Sequence, residues 1–355
     1  MTAPDPPGIS PTPSRFGSWS LVLGGLVSLG FLAYFFSGID YASLSDAIRS
    51  ADYAWAFLGV ILFLSTYPIR AYRWGLLLPA GKGADFRTRF SATTIGFMAS
   101  NVFPGRAGEF VRATVLAVRT DVEIGASFAS IIVERLFDLI VVLMCLAWVL
   151  VALPGTLAGD GTASLQDFAQ VGLVFGAVTL AMLLGLFLLK VVPEAVLNLC
   201  DRLLFFLDDE RRSRIITFIR SIVAGLTVLS GPVHILRVFF LSLVHWSVAV
   251  LGIHVTLWAF HVNPPILASV MVFVFTALAV ALPQAPGFIG VWQVAAEKAL
   301  AIVGIELYAA KGFSLVCWAA NIVPVTALGF WFLSMEGLNV RSMLESRSRA
   351  APPDS

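Results

Sequence analysis

Residues 238–296 read VFFLSLVHWSVAVLGIHVTLWAFHVNPPILASVMVFVFTALAVALPQAPGFIGVWQVAA, which is 59 positions without Asp, Glu, Lys or Arg. About 20 predominantly apolar residues cross a bilayer as one helix, so this run is too long for a single span. Pro264-Pro265 and the segment 283–287 (PQAPG) interrupt it. Because proline lacks the backbone N–H that a helix needs, we expect a helix break at both places. The run therefore predicts several membrane-embedded helices.

The composition extends this conclusion to all 355 residues. Hydrophobic residues make up 58% of the chain and charged residues 13%, against about 45–50% and 25% in soluble domains. The formal net charge of +1 provides no basic excess for a nucleic-acid partner. The three cysteines form no CxxC pair and the four histidines no metal-ligand spacing, so we expect no metal site. The chain is predicted to be a polytopic membrane protein rather than a soluble enzyme or a disulfide scaffold.

Charge-free stretches predict six membrane spans. The stretches are residues 19–37, 53–69, 139–159, 168–189, the first part of 238–296, and 312–335. With a cytoplasmic N-terminus, 17 Lys and Arg residues lie in cytoplasmic segments, including those in 70–89 and 190–237. Only Arg49, Lys298 and Lys311 fall outside. Since cytoplasmic loops are enriched in Lys and Arg, we expect both termini in the cytoplasm of a bacterial inner (plasma) membrane.

Two predicted helix breaks share the pattern P-G-x-x-G, at residues 104–108 and 286–290, which lie 182 positions apart. The first break lies in segment 90–118, which must start and end inside. The second lies in segment 265–304, which must start and end outside. Each segment is predicted to form a re-entrant hairpin, although the pattern could also recur by chance in a glycine-rich chain. The predicted break residues are Pro104, Gly105, Gly108, Pro286, Gly287 and Gly290.

These features predict an all-α polytopic membrane protein with six spanning helices and two re-entrant broken-helix hairpins in two inverted repeats. The first repeat covers residues 19–152. The second covers residues 153–335 and contains a cytoplasmic insert at 191–233. Each repeat has three crossings, an odd number, so the two copies must be inverted. Residues 1–18 are predicted to be a disordered tail and residues 336–355 a cytoplasmic tail.

Charged and polar residues within the predicted membrane segments mark a candidate site. A charge at the centre of a spanning helix costs about 2.5–3.5 kcal/mol on insertion scales. The candidate substrate-binding residues are Arg106, Glu109, Arg112, Glu134, Arg135, Asp138, Asn101, Gln284 and Gln293. The arginines and the N-terminus of a half-helix near Gly105 would attract a phosphate or another anionic headgroup. Ion pairs that only pin the first hairpin against the third span are the competing interpretation, and Gln284 and Gln293 also suit plain interhelical hydrogen bonding.

Three motifs carry a resemblance to a known family. They are Asn101-x-x-Pro104-x-Arg106-x-Gly108-Glu109-x-x-Arg112, Glu134-Arg135-x-x-Asp138 and Pro286-Gly287-x-x-Gly290-Val291. Over roughly residues 20–335 the chain resembles the flippase-like integral membrane family, which includes the transmembrane region of lysylphosphatidylglycerol synthases. The resemblance implies translocation of a phospholipid or another charged-headgroup lipid between leaflets of the plasma membrane, bound between the two hairpins. Membrane lipids are thus the expected partners, and a homodimer stays open.

One departure from the family concerns Gln293, where family members commonly carry Glu. A site that used this carboxylate for proton coupling or for a cationic headgroup is therefore in question. Only about 20 residues follow the last predicted span, so we do not expect the aminoacyl-transferase domain of the synthases or lipid aminoacylation.

Two other function classes remain open at this stage. One is a membrane-embedded transferase that acts on a lipid-linked substrate, with Glu109, Glu134 or Asp138 as acid or base. The other is an ion-coupled exporter of a small anion. The sequence has no Walker A motif and no G-x-S-x-G, so we expect neither a nucleotide cofactor nor an enzyme of those classes.

Overall fold

The computed structural model describes residues 15–79, 84–103, 107–152, 191–205, 208–226, 231–280 and 286–337, together with 177, 180, 184 and 188. Every regular element within these residues is helical. The helices are α1 Arg15–Phe36, α2 Tyr41–Arg49, α3 Tyr53–Leu77, α4 Phe86–Val102, α5 Ala107–Arg119, α6 Ile124–Ala152, α7 Pro193–Leu203, α8 Asp209–Leu226, α9 Pro232–Trp258, α10 Ile266–Val280, α11 Val291–Ile302 and α12 Leu307–Met335. A short 3-10 turn, Pro286–Phe288, lies between α10 and α11.

Four of these helices, α3, α6, α9 and α12, are long and apolar enough to cross a membrane. The bent pair Gly25–Phe36 and Tyr41–Arg49, with an angle of 90°, could supply a fifth span. The predicted multi-pass membrane protein is therefore confirmed. The predicted span at 168–189 and both predicted tails fall largely outside the described residues. The number of six spans accordingly stays a prediction.

All four spanning helices extend further than their charge-free stretches, and α9 does so by beginning at Pro232, before Arg237. Helix α3 continues to Leu77, past Arg70 and Arg73. Helix α6 begins at Ile124, 15 positions before the predicted start of the third span. Helix α12 begins at Leu307 and therefore includes Lys311. Ionisable residues can lie within these helices because they pair with one another, as the site geometry below demonstrates.

The second predicted helix break is present. Helix α10 ends at Val280 and α11 begins at Val291. Between them Gly287 and Gly290 have φ of +70° and +85°, values that residues with a Cβ rarely adopt. Gly290 also meets α1, because a Cβ there would lie 2.6 Å from the backbone oxygen of Ser28.

At the first break, helix α4 ends at Val102 and α5 begins at Ala107. Pro104, Gly105 and Arg106 lie outside the described residues. Gly108 falls in the first turn of α5, where it lets two helices meet: a Cβ there would lie 1.9 Å from the backbone oxygen of Gly96 in α4. Gly108 thus acts in helix packing rather than as a helix breaker.

Helices of similar length follow one another in the same order in the two halves of the chain. Helices α3, α4, α5 and α6 have 25, 17, 13 and 29 residues, and α9, α10, α11 and α12 have 27, 15, 12 and 29. The packing of the two halves is also similar. Helix α4 packs on α5, as α10 packs on α11. Helix α12 of the second half packs on α4, as α6 of the first half packs on α10. The inverted orientation of the halves and their boundaries stay predictions.

Helix α3 packs closely against α9 of the second half of the chain. Small residues permit the approach, since a Cβ on Gly59 would lie 2.4 Å from the Thr256 hydroxyl, and one on Gly252 would lie 2.8 Å from the Phe63 ring. This packing brings polar residues of the two helices together near Arg70.

Local capping fixes where several of the helices begin. Asp40, Asp52 and Asp85 precede α2, α3 and α4, and each carboxylate accepts a backbone N–H in the first turn at 2.8–3.0 Å. At Asp85 the hydrogen bonds from Thr88 lower the pKa of the carboxyl below its ordinary value.

Candidate functional site

A buried carboxylate, Glu134 of α6, binds four arginines from three helices. Its Oε1 lies 3.2 Å from Arg70 Nη1, 3.1 Å from Arg73 Nη2 and 2.9 Å from Arg135 Nη2. Its Oε2 lies 3.0 Å from Arg112 Nη2. The Glu134 side chain has no exposed surface. One carboxylate therefore holds α3, α5 and α6 together.

Asp138, one turn further along α6, shares three of these arginines. Its Oδ1 accepts a hydrogen bond from Arg73 Nη1 at 2.6 Å, and its Oδ2 lies 3.3 Å from Arg135 and 3.7 Å from Arg70. The indole N–H of Trp246 in α9 donates to the same Oδ1 at 3.0 Å. The network thus extends from the first half of the chain into the second.

Positive charge exceeds negative charge in this part of the described structure. The cluster contains four arginines and two buried carboxylates, and Glu109 adds a third carboxylate 3.7 Å from Arg135. Its formal net charge is therefore +1. The Nε atoms of Arg70, Arg73 and Arg112 are buried donors without a hydrogen-bond partner among the described residues. Unused buried donors of this kind are costly unless a ligand accepts from them.

Arg70 and Arg73 are an important correction to the sequence analysis, which placed them in a cytoplasmic loop. Their side chains are only 4% and 0% exposed, within α3 and bonded to α6. The apolar residues that follow Arg73, in the stretch WGLLL at 74–78, continue the helix beyond both arginines. That stretch is the signal by which sequence reasoning could have found them.

His245 of α9 is a further site residue that the sequence analysis did not single out. Its Nε2 lies 2.7 Å from Arg70 Nη2, and its Nδ1 lies 3.3 Å from the backbone oxygen of Thr66. Arginine has no acceptor atom, so Nε2 must accept and Nδ1 must carry the proton. His245 is therefore neutral and orients the Arg70 guanidinium.

A cavity of about 260 Å³ opens beside the network. Arg70, Glu109, Arg112 and Arg135 form its charged part, and Asn101 is among its uncharged polar residues. Aromatic side chains form much of the remaining wall: Phe63, Tyr67, Phe97, Trp246, Phe273, Phe288 and Trp292. Both predicted hairpin segments, 90–118 and 265–304, contribute to the lining. The volume lies just below the roughly 300–1,000 Å³ of drug-sized ligand sites, so it suits a headgroup rather than a whole lipid.

The predicted site residues divide into four groups. Asn101, Glu109, Arg112 and Arg135 line the cavity. Glu134 and Asp138 lie behind it and bind the arginines. Arg106 and Gln284 lie outside the described residues.

Gln293 forms the fourth group, because it does not line the cavity. Its Oε1 accepts the backbone N–H of Gly290 at 2.7 Å, and its side chain is fully buried. A side chain at the third position of a helix can reach back in this way to cap the first turn. Gln293 therefore caps the first turn of α11, and its predicted contact with substrate stays a prediction.

A second buried ion pair lies apart from the cavity. Lys311 of α12 contacts Glu297 of α11 at 2.9 Å and donates to the backbone oxygen of Phe35 at 2.6 Å. The sequence analysis placed Lys311 in an external loop, but its side chain is only 6% exposed. The pair joins α1, α11 and α12.

Fold and site together define a polytopic helical membrane protein with a cavity among its helices that combines arginines with an aromatic wall. The chain belongs to the lysylphosphatidylglycerol synthase TM region family, whose sequence model matches residues 21–329. The resemblance predicted from the motifs is thereby confirmed.

Two curated relatives are similar to this chain. A UPF0104 membrane protein of Methanothermobacter thermautotrophicus is 24% identical over 301 residues, which cover 81% of this chain and 85% of the relative. Glycosyltransferase AglD of Haloferax volcanii is 27% identical over 299 residues, which cover 78% of this chain and 48% of the relative. The chain thus spans about half the length of AglD. No solved structure gives a significant match.

Proposed function

We propose that the protein translocates a phospholipid or another anionic-headgroup lipid between the leaflets of the plasma membrane. The observation that carries the proposal is the cavity, which combines an arginine-rich part with an aromatic wall. A lipid headgroup and the first part of its chains need these two environments next to each other. Membership of the lysylphosphatidylglycerol synthase TM region family supports the same assignment.

The arginines would replace the water that a phosphate loses on entering the membrane. Charge-assisted hydrogen bonds from guanidinium groups are among the strongest available to a phosphate. Glu134 and Asp138 hold these groups in place before the ligand arrives, so little reorganisation accompanies binding. Arg112 in addition lies over the Trp74 ring, with its guanidinium carbon 3.8 Å from the ring centroid.

Reconstituted vesicles test this proposal. Lipid carrying a fluorescent label on an acyl chain is mixed into proteoliposomes, and dithionite then bleaches the outer leaflet. We expect bleaching beyond the outer-leaflet fraction for the wild type, and a loss of at least tenfold in rate for Arg112→Gln. The matched control is Arg49→Gln, since Arg49 is exposed on α2, away from the cavity. Leaflet exchange no faster than in empty vesicles would refute the proposal.

A membrane-embedded transferase is the second candidate, because one relative is named a glycosyltransferase. Among the described acids Glu109 alone lines the cavity, so it would be the acid or base. Mass spectrometry of the lipids after incubation with a lipid-linked sugar would detect a transferred group. An ion-coupled small-anion exporter would instead accumulate phosphate or sulfate without leaflet exchange of lipid.

The proposed topology has both termini in the cytoplasm, six spans and two inverted hairpins. The reciprocal packing of α3–α6 and α9–α12 supports it. Labelling with a membrane-impermeant thiol reagent tests this topology. Single cysteines replace Asp85 or Asn263 in a variant without the native cysteines. We expect labelling at Asn263 from outside the cell and at Asp85 only after the membrane is opened.

A further inference from the structure

We infer that the cavity selects a lipid whose headgroup is a phosphodiester carrying hydroxyl groups and no amine, such as a glycerol, inositol or sugar phosphodiester. This inference rests on the proposed function and names the substrate class of the same site. Three observations support it: the charge balance of the network, the occupation of the aromatic faces, and the uncharged polar residues of the cavity.

The charge balance favours a ligand with one net negative charge. Glu134 and Asp138 are already shared among several arginines, and Glu109 lies beside Arg135. The two buried carboxylates are therefore not left for a headgroup ammonium, and of the three only Glu109, already 3.7 Å from Arg135, faces the cavity. An anionic phosphodiester without an amine brings the described cluster from +1 to neutral, whereas a zwitterionic aminated lipid such as phosphatidylethanolamine leaves it at +1.

Part of the aromatic wall that could bind an ammonium group is already engaged. A ring face can bind an ammonium group by a cation–π contact, but Arg70 already lies over Phe97 and Trp246, at 4.8 and 5.7 Å from their centroids. The ring of Trp246 also packs on Phe273, with centroids 4.8 Å apart, and that of Tyr67 on Phe97 at 5.1 Å. Four of the seven rings that line the cavity are thus engaged with the network or with one another.

Uncharged polar groups complete the cavity. Ser100, Asn101, Thr276 and Asn321 line it. Asn101 donates from Nδ2 to the Thr326 hydroxyl at 2.9 Å, and Thr276 donates to the Val272 backbone oxygen at 2.7 Å. Asn101 Oδ1 and the Thr276 hydroxyl oxygen can therefore still accept hydrogen bonds. Hydroxyl groups, which both donate and accept, fit such a mixture without adding charge.

Equilibrium binding of two soluble short-chain lipids tests the inference. Dihexanoyl phosphatidylglycerol and dihexanoyl phosphatidylethanolamine have the same chains and headgroups of similar size, but only the second carries an amine. Native mass spectrometry of the detergent-solubilised full chain measures both. We expect phosphatidylglycerol to bind at least tenfold more tightly. Affinities within threefold of each other, or binding of neither lipid, would overturn the inference.

A variant that introduces a negative charge into the cavity tests the physical cause. Asn321→Asp adds a carboxylate to the cavity at almost constant size, and we expect the preference for phosphatidylglycerol to fall at least fivefold. The control is Asn263→Asp, because Asn263 is exposed outside the cavity and its side-chain oxygen is retained. An unchanged preference in Asn321→Asp would refute the electrostatic explanation.

Leaflet exchange separates this inference from the proposed function. Acyl-labelled phosphatidylglycerol and phosphatidylethanolamine are compared in the same proteoliposomes. If phosphatidylglycerol binds selectively but neither lipid is exchanged, the proposed function fails and the binding inference stands. If both are exchanged at equal rates, the proposed function stands and the selectivity is refuted.

Discussion

Two regions of the molecule bury ionic groups at similar depth, but their pairing differs. In the network of α3, α5 and α6, each buried carboxylate contacts at least three arginines, and a cavity adjoins the arginines. In the pair of α11 and α12, Lys311 meets one carboxylate, Glu297, and one backbone oxygen. The network keeps a surplus of positive charge, whereas the pair is neutral. Burial of charge is common to both regions, and the proposed ligand site differs from the second pair by its unequal pairing and the adjoining cavity.

The largest effect is expected from Glu134→Gln. This change removes the charge that four arginines share, and breaking a buried ion pair by loss of one partner costs about 3–5 kcal/mol. Reversible SDS unfolding followed by circular dichroism measures the loss. Glu109→Gln is the control, since Glu109 is partly exposed and contacts only Arg135, at 3.7 Å. Equal destabilisation by the two changes would contradict the central role of Glu134.

The pair Lys311–Glu297 tests whether a buried ion pair without a surplus charge has a structural role alone. Lys311→Met leaves Glu297 unpaired and should cost about 3 kcal/mol in the same unfolding assay, whereas the double variant Lys311→Met/Glu297→Gln should regain most of it. Headgroup binding by the double variant should equal that of the wild type. Lost binding despite restored stability would mean that this pair also serves the ligand.

The contact between α4 and α5 should respond to a single methyl group. Gly108→Ala places a Cβ against the backbone of Gly96 and should destabilise the protein by about 1–3 kcal/mol, because the hairpin must open to accept it. Gly25→Ala is the control, as a Cβ there meets no atom within 4 Å. A neutral Gly108→Ala would mean that the two helices lie further apart.

The smallest effect is expected at His245, which contacts the network through Arg70. His245→Phe removes the acceptor and should weaken binding of dihexanoyl phosphatidylglycerol about tenfold, near 1.4 kcal/mol. His245→Gln supplies an acceptor oxygen and should stay within about threefold of the wild type.

The protonation state of His245 distinguishes a hydrogen-bond acceptor for Arg70 from a residue that only fills space. Nitrogen-15 NMR of labelled histidine should show that the His245 ring is neutral and protonated on Nδ1. The His245 signal is identified as the one that disappears in His245→Gln. A ring protonated on Nε2, or a cationic ring, would contradict its assignment as acceptor for Arg70.

Local features of the sequence predicted the class of the protein and much of the site. Long apolar runs predict spans because the bilayer sets their length, and Pro286 and Gly287 predict a break because they lack a backbone donor or a Cβ. Glu134 and Asp138 were predicted as site residues because a carboxylate in a spanning helix is costly. These inferences need only the residue and its neighbours along the chain.

The tertiary structure alone decided which charges share the site. Arg70 lies 64 positions from Glu134 and 175 from His245, and Lys311 lies 276 from Phe35. Such a cation can be buried only where nearby carboxylates or other acceptors compensate the free-energy cost of removing it from water. Those partners are brought to it by the packing of α3 against α6 and α9, which a linear pattern does not contain.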